Sequence, residues 1–388
     1  MTLLALALLP LAAGTVVRPA DLPEEEFDNF IAKYHRNYTR HSPDYLERLS
    51  IFRTRFNEAQ RLNALPGRGW RAGMTPLADY TDKELKQIRG WKGARRSSSG
   101  RSNLNLLQND DLPENWQKWR NLKTLQVIAN QGSCGSCWAV TSATILNAHR
   151  EIYRNATELL SPQELVNCVP NPQNCGGSGG CEGATVELAM AYTMRNGLSK
   201  ETDQPYAGSD QQCLNNGHAL LELSGSDDFA DSGVRMATSK SVGLHTLHMQ
   251  GWEKLPENKY EPLKRALVTK GPVAVSVSAD GWELYMSGIF GDCPRDAVID
   301  HAVTLIAYGQ EYKTKYWTIQ NSWGDSFGEQ GTMRLLRQDQ EEDHCGTDYQ
   351  PQMGTGCDGG PASVQVCGMP GALRGPKPRR CRGKGSEK

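Results

Sequence analysis

The eight residues from Gln131 to Trp138 combine a side-chain amide at one end with a thiol, Cys137, near the other. Residues 139–152 continue with apolar side chains at helical spacing, which predicts a helix with Ser136 as its N-cap. Cys137 would then lie in the first turn, where free backbone N–H groups and the helix dipole favour an anion. A thiol in that position has a lowered pKa and a larger nucleophilic thiolate fraction.

Cys134 and Cys137 also form a C-x-x-C pair, which taken alone is more typical of a redox or zinc site. A redox protein using these two thiols is therefore one interpretation. The whole segment Cys134-Gly135-Ser136-Cys137-Trp138, however, resembles the nucleophile segment of papain-like cysteine proteases. The resemblance implies that Cys137 attacks a peptide carbonyl and that Gln131 helps to stabilise the oxyanion.

Two later segments extend the resemblance. His301 stands at the start of a stretch with alternating apolar residues, which predicts a strand, and Asn321 follows a second predicted strand and precedes Ser-Trp-Gly. In the family, the imidazole takes the thiol proton and an asparagine orients the imidazole. The resemblance assigns these roles to His301 and Asn321, and it makes Trp323 the lid that shields their hydrogen bond from water.

The start of the chain is typical of a secreted protein. Residues 3–17 are apolar and uncharged but too short to span a membrane comfortably, which predicts a signal peptide over residues 1–20. The chain contains 11 cysteines, a number that fits an oxidising compartment. Asn37 and Asn155 lie in glycosylation sequons. We expect a secretory-pathway protein of the lysosome, the endosome, the extracellular space or the endoplasmic reticulum.

Residues 21–65 carry two apolar stripes at helical spacing, which predicts a small helical subdomain. They also contain an interrupted motif that resembles the propeptides of the cathepsin F and W branch of the family. The motif consists of Asp44, Arg48, Phe52, Ala59 and Gln60. Residues 73–79 resemble that branch's second propeptide motif. The resemblance implies a helical inhibitory propeptide over residues 21–109 whose tail runs backwards through the cleft. Residues 92–110 are rich in arginine, serine, glycine and asparagine, which predicts an exposed linker where cleavage would release the mature enzyme.

The same resemblance implies a set of disulfide bonds. The expected pairs are Cys134–Cys181, Cys168–Cys213 and Cys293–Cys345, with Cys137 free. Four cysteines remain without an expected partner, namely Cys175, Cys357, Cys367 and Cys381. Zinc binding by Cys168, Cys175 and Cys181 is the competing interpretation, which a secretory context disfavours.

The family forms its main specificity pocket after a Cys-x-Gly-Gly segment and around the histidine. The corresponding residues here are Gly183, Ala184, Thr185, Val186, Ile299, Ala302 and Trp323. Ala184 replaces the second glycine, and its methyl group is expected to crowd a substrate backbone that pairs there. Because the set is moderately apolar, we expect an aliphatic or aromatic substrate residue two positions before the scissile bond.

These features predict an α+β, papain-like fold within a peptidase domain at residues 110–345. A helical left lobe, residues 111–220, would face a β-rich right lobe, residues 260–345, across the cleft. Residues 214–260 exceed the family's usual length, and the polar stretch 224–241 within them predicts a surface loop. The C-terminal extension, residues 346–388, is rich in glycine, proline and basic residues, which favours disorder, with docking on the enzyme or on acidic partners as the alternative.

A net charge of −1 gives no electrostatic reason to expect nucleic-acid binding. We predict a monomeric cysteine endopeptidase without a membrane span, made as a zymogen, that needs no cofactor or metal. Its expected partners are polypeptide substrates, its own propeptide and cystatin-like inhibitors. A catalytically silent homologue that binds peptides is the alternative, to which Ala184, Val140 and the departures from the propeptide motifs point. These departures are Asp44 in place of glutamate, Arg55 in place of asparagine and Leu77 in place of phenylalanine.

Overall fold

The computed structural model describes residues 22–89, 112–214, 249, 251–292, 294–338 and 344–367. The helices are α1 (Leu22–Lys33), α2 (Pro43–Asn63), α3 (Asp82–Ile88), α4 (Cys137–Arg154), α5 (Pro162–Cys168), α6 (Val186–Asn196) and α7 (Tyr260–Thr269). The strands are β1 (Trp70–Ala72), β2 (Val273–Val277), β3 (Tyr285–Phe290), β4 (His301–Glu311), β5 (Thr314–Gln320), β6 (Thr332–Arg337), β7 (Cys345–Asp348) and β8 (Val364–Cys367). The predicted signal peptide, the predicted linker at 92–110 and the predicted loop at 224–241 lie outside the described residues.

Residues 22–89, called here the N-terminal domain, fold around an aromatic core that α1 and α2 share. The buried side chains are Phe27, Phe30, Tyr45, Leu49 and Phe52. The rings of Phe27 and Phe52 lie 5.1 Å apart. Ser42 caps α2 by accepting the Tyr45 N–H at 3.2 Å, and a proline occupies the first turn. Full burial of each aromatic side chain contributes roughly 2 kcal/mol or more, which explains how so short a segment holds its shape.

The N-terminal domain extends the sheet of the right lobe. β1 pairs antiparallel with β3, with Trp70 opposite Gly288. The Gly73 N–H donates to the Leu284 carbonyl at 2.9 Å, and the Ile289 N–H donates to the Gly69 carbonyl at 2.7 Å. This pairing orients the domain so that the C-terminal end of α3 points towards the cleft.

Glu84 stabilises the start of α3 in two ways. Its carboxylate accepts the Thr81 N–H at 2.7 Å while its own N–H donates to Thr81 Oγ1 at 3.2 Å, forming a capping box. Arg48 of α2 donates to the same carboxylate at 2.8 Å. The hydrogen bond from Arg48 lowers the pKa of Glu84 from 4.5 to about 2.

We expect Glu84→Gln to destabilise the full chain by about 1 kcal/mol at pH 7. The depressed pKa means that the wild-type carboxylate stabilises the fold above pH 4.5 and that this contribution is lost as pH falls towards 2. Urea unfolding should therefore show a smaller difference in the free energy of unfolding between wild type and Glu84→Gln at pH 3 than at pH 7. Glu47→Gln, an exposed change on α2, is the control, and an equal effect of both variants would contradict the assignment.

The left lobe packs α4, α5 and α6 around one apolar core. Its buried side chains include Trp138, Ala139, Leu160, Leu165, Ala189 and Met190. The disulfides Cys134–Cys181 and Cys168–Cys213 hold the loops of this lobe together. These are the two pairs that the resemblance implied for the left lobe.

The right lobe is built on a sheet with the strand order β1-β3-β6-β5-β4-β2. All neighbours are antiparallel except β3 and β6, which run parallel. The first nine residues of β4 are all buried, because α4 of the left lobe packs against this strand. The two lobes therefore meet along α4 and β4, which carry Cys137 and His301 at their first positions.

Part of the C-terminal extension is folded. β7 and β8 pair antiparallel with Cys345 opposite Cys367, and these two cysteines form a disulfide. The predicted pair Cys293–Cys345 is therefore wrong, and Cys293 itself lies outside the described residues. The prediction of disorder is also wrong for residues 346–367, since this hairpin has a fixed register and two disulfides. Residues 368–388 lie outside the described part of the chain.

A further disulfide, Cys175–Cys357, ties the extension to the left lobe. Cys134, Cys168, Cys175 and Cys181 are thus all consumed in disulfides. A thiol pair at 134 and 137 and a zinc site at 168, 175 and 181 both require free thiolates. Both competing interpretations of these cysteines are therefore excluded, and Cys137 is the one free cysteine in the described part of the chain.

Candidate active site

Cys137 is the first residue of α4 and is buried. Ser136 occupies the N-cap position, as predicted, but its hydroxyl makes no capping bond and instead contacts the Tyr206 hydroxyl at 2.5 Å. The first backbone N–H groups of α4 consequently remain directed at the region of the Cys137 sulfur. Such a helix start stabilises negative charge on that sulfur.

His301 begins β4 and its imidazole is 1% exposed. Its Nε2 lies 2.8 Å from Asn321 Oδ1, which also accepts the Ser322 N–H at 2.9 Å. Because this second bond identifies the oxygen of the Asn321 amide, Nε2 must carry the hydrogen and donate it. His301 Nδ1 makes no hydrogen bond within the described residues, so it is available to accept a proton.

Two tryptophans exclude water from the His301–Asn321 hydrogen bond. The ring of Trp323 stacks on the imidazole with centroids 4.9 Å apart. The ring of Trp282 packs edge-on against it at 6.0 Å. An orienting hydrogen bond in such an apolar enclosure is stronger than the same bond in water.

The two lobes are fixed to each other beside these residues. The Thr141 hydroxyl on α4 donates to the Ala302 carbonyl on β4 at 3.0 Å. Cys137 lies one helical turn before Thr141 on α4, and His301 immediately precedes Ala302 on β4. The fold thus brings the thiol and the imidazole to the same point of the cleft.

Gln131 lies in the same place, and its side-chain amide is fully buried. Gln131 Nε2 donates to the Ile88 carbonyl at 2.6 Å and to the Cys134 carbonyl at 2.8 Å. Its Oε1 accepts from the Ser322 hydroxyl at 2.5 Å, which fixes the orientation of the amide. An N–H in this position faces a carbonyl oxygen that enters the cleft beside Cys137.

The carbonyl now in that position belongs to the N-terminal domain. Ile88 ends α3, and the next residue, Arg89, accepts a weak hydrogen bond from the Cys137 thiol at 3.7 Å. The sequence did not single out Ile88 or Arg89, and the one local signal was a basic residue at a helix end, which is common for other reasons. The C-terminal end of α3 therefore blocks the cleft at the reactive atoms.

The covered site holds its thiol and imidazole in uncharged forms. Burial raises the pKa of Cys137 to about 12, against the backbone N–H groups of Ala302 and Trp138 that lower it. Burial lowers the pKa of His301 to about 4, against the hydrogen bond with Asn321, and the nearby charge of Arg89 lowers it further. At neutral pH the pair is a thiol and a neutral imidazole for as long as the N-terminal domain is in place.

The predicted substrate-binding residues divide into two groups. Five of them line one cavity together with Cys137 and His301, namely Ala184, Thr185, Val186, Ile299 and Ala302. Gly183 lies next to this wall at φ +100° without lining the cavity, and Trp323 contacts His301 instead. Residues of the extension also line this cavity, and one of them, Thr355, donates its N–H to the Ile299 carbonyl at 2.8 Å.

The two predicted glycosylation sites are exposed on separate parts of the fold. Asn37 lies between α1 and α2, and Asn155 ends α4 with φ +52°. In the described residues no helix is long and apolar enough to cross a membrane.

Known families account for both parts of the chain. A family model for papain family cysteine proteases matches residues 112–355, which is more than half of the chain. The chain belongs to the papain family of cysteine proteases. A second model, for the cathepsin propeptide inhibitor domain, matches residues 27–85. The N-terminal domain is thus the propeptide of a protease zymogen, and the predicted papain-like fold is confirmed.

Individual relatives of this papain family member come from plants and insects. A cathepsin L-like proteinase of Phaedon cochleariae is 29% identical over 88% of this chain and 96% of its own length. The oryzain beta chain of Oryza sativa subsp. japonica is 31% identical over 73% of this chain, which spans 55% of that relative. The solved structure of digestive procathepsin L2 from Tenebrio molitor larval midgut is 25% identical, with a TM-score of 0.65, over 89% of this chain and 99% of that one.

Proposed function

We propose that this protease hydrolyses peptide bonds within polypeptides through Cys137, His301 and Asn321, with Gln131 as an oxyanion donor. The observation that carries the proposal is the hydrogen bond between His301 Nε2 and Asn321 Oδ1. It leaves Nδ1 as the proton acceptor for a thiol at the start of α4. An asparagine can orient the imidazole without adding a charge, which preserves a thiolate–imidazolium pair.

The reaction follows from these positions. His301 Nδ1 takes the Cys137 proton, and the thiolate attacks the carbonyl carbon of the substrate. The Gln131 side-chain N–H and the Cys137 backbone N–H stabilise the oxyanion. His301 then returns the proton to the leaving amine as the C–N bond breaks. A water molecule, deprotonated by the same imidazole, attacks the thioester and releases the acid, and the thiol regains its proton.

Removal of the propeptide is proposed to switch the electrostatics of the site. It exposes Cys137 and His301 to water, which relieves the burial that now disfavours both charged forms. It also removes the Arg89 charge that lowers the pKa of His301. Both changes favour the thiolate–imidazolium pair, so activation unblocks the cleft and ionises the nucleophile in one step.

We further propose that the protein acts in the secretory pathway, in lysosomes, endosomes or outside the cell. The disulfides of the described residues require an oxidising route, and both sequons are exposed. Polypeptides are the proposed substrates, cystatin-like proteins the proposed inhibitors, and a monomer the proposed state. The folded extension and the propeptide motif support membership of the cathepsin F and W branch.

The test is cleavage of the full chain within residues 90–111, followed by assay of the product on a peptide library. We expect hydrolysis, and we expect an epoxide that alkylates catalytic thiols to stop it while modifying Cys137, as mapped by mass spectrometry. Uncleaved protein should resist the epoxide, since Arg89 covers the sulfur. A processed protein that is alkylated but cleaves no peptide would instead be a silent homologue.

A further inference from the structure

The side chain of Arg89 lies among three carboxylates that belong to the right lobe. Its Nη1 lies 3.4 Å from Asp280 Oδ1 and 3.5 Å from Asp300 Oδ2, and its Nη2 lies 3.7 Å from Glu283 Oε2. The Arg89 side chain is 10% exposed, and those of Asp300 and Glu283 are 13% and 19% exposed. A guanidinium group therefore occupies a partly desolvated acidic pocket, with Asp280 at its rim.

The pocket remains after activation, whereas its occupant leaves. Asp280, Glu283 and Asp300 lie on the peptidase side of the linker, and Arg89 lies on the propeptide side. The loop that carries two of the carboxylates is fixed by Trp282, which packs on His301, and by Asp300 Oδ1, which accepts the Ala279 N–H at 3.0 Å. Glu283 Oε2 makes no hydrogen bond within the described residues, and it loses its 3.7 Å ion-pair contact with Arg89 Nη2 when the propeptide leaves.

The acidic pocket adjoins the substrate cavity and extends beyond it to Asp280 and Glu283. Arg89 and Asp300 line the cavity formed by Ala184, Thr185 and Ile299, which would hold the residues before the scissile bond, whereas Asp280 and Glu283 lie outside it. Asp280 and Glu283 flank Trp282 in the sequence, and the Trp282 ring packs edge-on against His301, the residue proposed to protonate the leaving amine. The Arg89 carbonyl contacts Cys137 while its side chain reaches the carboxylates, so a residue next to the scissile bond can span the same distance.

We propose that this acidic pocket selects substrates with arginine or lysine immediately after the scissile bond, and that Arg89 occupies it in the zymogen as a built-in substitute. The inference rests on the proposed peptidase function. Asp280 and Glu283 are specificity residues in this assignment and take no part in the chemistry. A basic side chain gains charge-assisted hydrogen bonds there, while an acidic one meets a cluster of like charge.

The experiment uses protein obtained by cleaving the full chain within residues 90–111. Internally quenched peptides that differ only in arginine, lysine, glutamine or glutamate after the scissile bond are compared by kcat/KM. We expect arginine to exceed glutamine by roughly tenfold and glutamate to be the poorest. In the double variant Asp280→Asn, Glu283→Gln the arginine-to-glutamine ratio should fall to about threefold or less. The ratio is insensitive to any general loss of activity.

Asp203→Asn, an exposed carboxylate of the left lobe, is the matched control and should keep the wild-type ratio. Glu283→Lys should shift the preference towards glutamate. If the processed protein hydrolysed the peptides with no preference for arginine or lysine after the scissile bond, this inference would be overturned while the proposed function stood. The same holds if the double variant kept the wild-type preference. If the processed protein cleaves no peptide in the series or in the library, the proposed function fails and this inference fails with it.

Discussion

Replacing Cys137 with alanine is expected to lower peptide hydrolysis by the processed protein by about 10⁴-fold or more. The proposed reaction passes through a thioester on this sulfur, and no other free cysteine exists in the described part of the chain. Oxyanion donors and the cleft alone leave only a small residual rate when a nucleophile is removed. The assay is kcat/KM on the preferred peptide after cleavage within residues 90–111.

The same change should leave the fold intact. In the described part of the chain, the Cys137 thiol donates one weak hydrogen bond, to the Arg89 carbonyl at 3.7 Å, and alanine is a good residue for the first turn of α4. We expect the midpoint of thermal unfolding of the full chain to move by only a few degrees. Ser133→Ala changes an exposed residue of the same loop. It is the control for losses during purification and activation, and it should retain hydrolysis. Hydrolysis retained by Cys137→Ala would rule out the assignment.

The positions of Gln131, Cys137, His301 and Asn321 could be predicted because each is embedded in a local motif. A thiol in the first turn of a helix, a histidine at the start of a strand and an asparagine after a strand are features of short segments. The structure brings these segments together through contacts that span many residues, such as Thr141 to the Ala302 carbonyl. No local pattern encodes such a contact, so the prediction that these candidate residues meet in one place rested on the family's order of motifs rather than on any spacing.

The blocking residues could not be predicted in the same way. Ile88 and Arg89 act because the pairing of β1 with β3 orients the whole N-terminal domain on the right lobe. The carboxylates around Arg89 are distant in sequence and fall in two separate loops. A charge cluster of this kind depends on tertiary packing, and in sequence its members look like ordinary surface residues.

The C-terminal extension shows where composition misleads. Few apolar residues and many glycines predict disorder, because burial cannot then offset the loss of chain entropy. Here Cys345–Cys367 and Cys175–Cys357 restrict the chain covalently, so little apolar burial is needed. The wrong partner for Cys345 has the same origin, since the β7–β8 register that places Cys367 opposite it lies beyond the segment that the family resemblance covers.

Removal of the Gln131 amide donor should have the second largest effect. Gln131→Ala is expected to lower kcat by about 10²- to 10³-fold, the usual loss when one oxyanion donor is removed. The amide is held in place before substrate arrives, since Oε1 accepts from the Ser322 hydroxyl and Nε2 already holds a carbonyl oxygen, that of Ile88. A preorganised donor of this kind acts on the charge that develops in the transition state, so kcat should fall more than KM rises.

Gln131→Glu separates this role from packing, because it keeps the size of the side chain and replaces the donor with a negative acceptor. It should lower kcat at least as far as Gln131→Ala, since a carboxylate repels the developing oxyanion. If Gln131 only filled space, Gln131→Glu would be the milder of the two. Gln126→Ala, an exposed amide whose Nε2 donates to the Arg120 carbonyl, is the control and should keep the wild-type kcat. If both Gln131 variants raised KM and left kcat unchanged, the amide would bind substrate without stabilising the oxyanion.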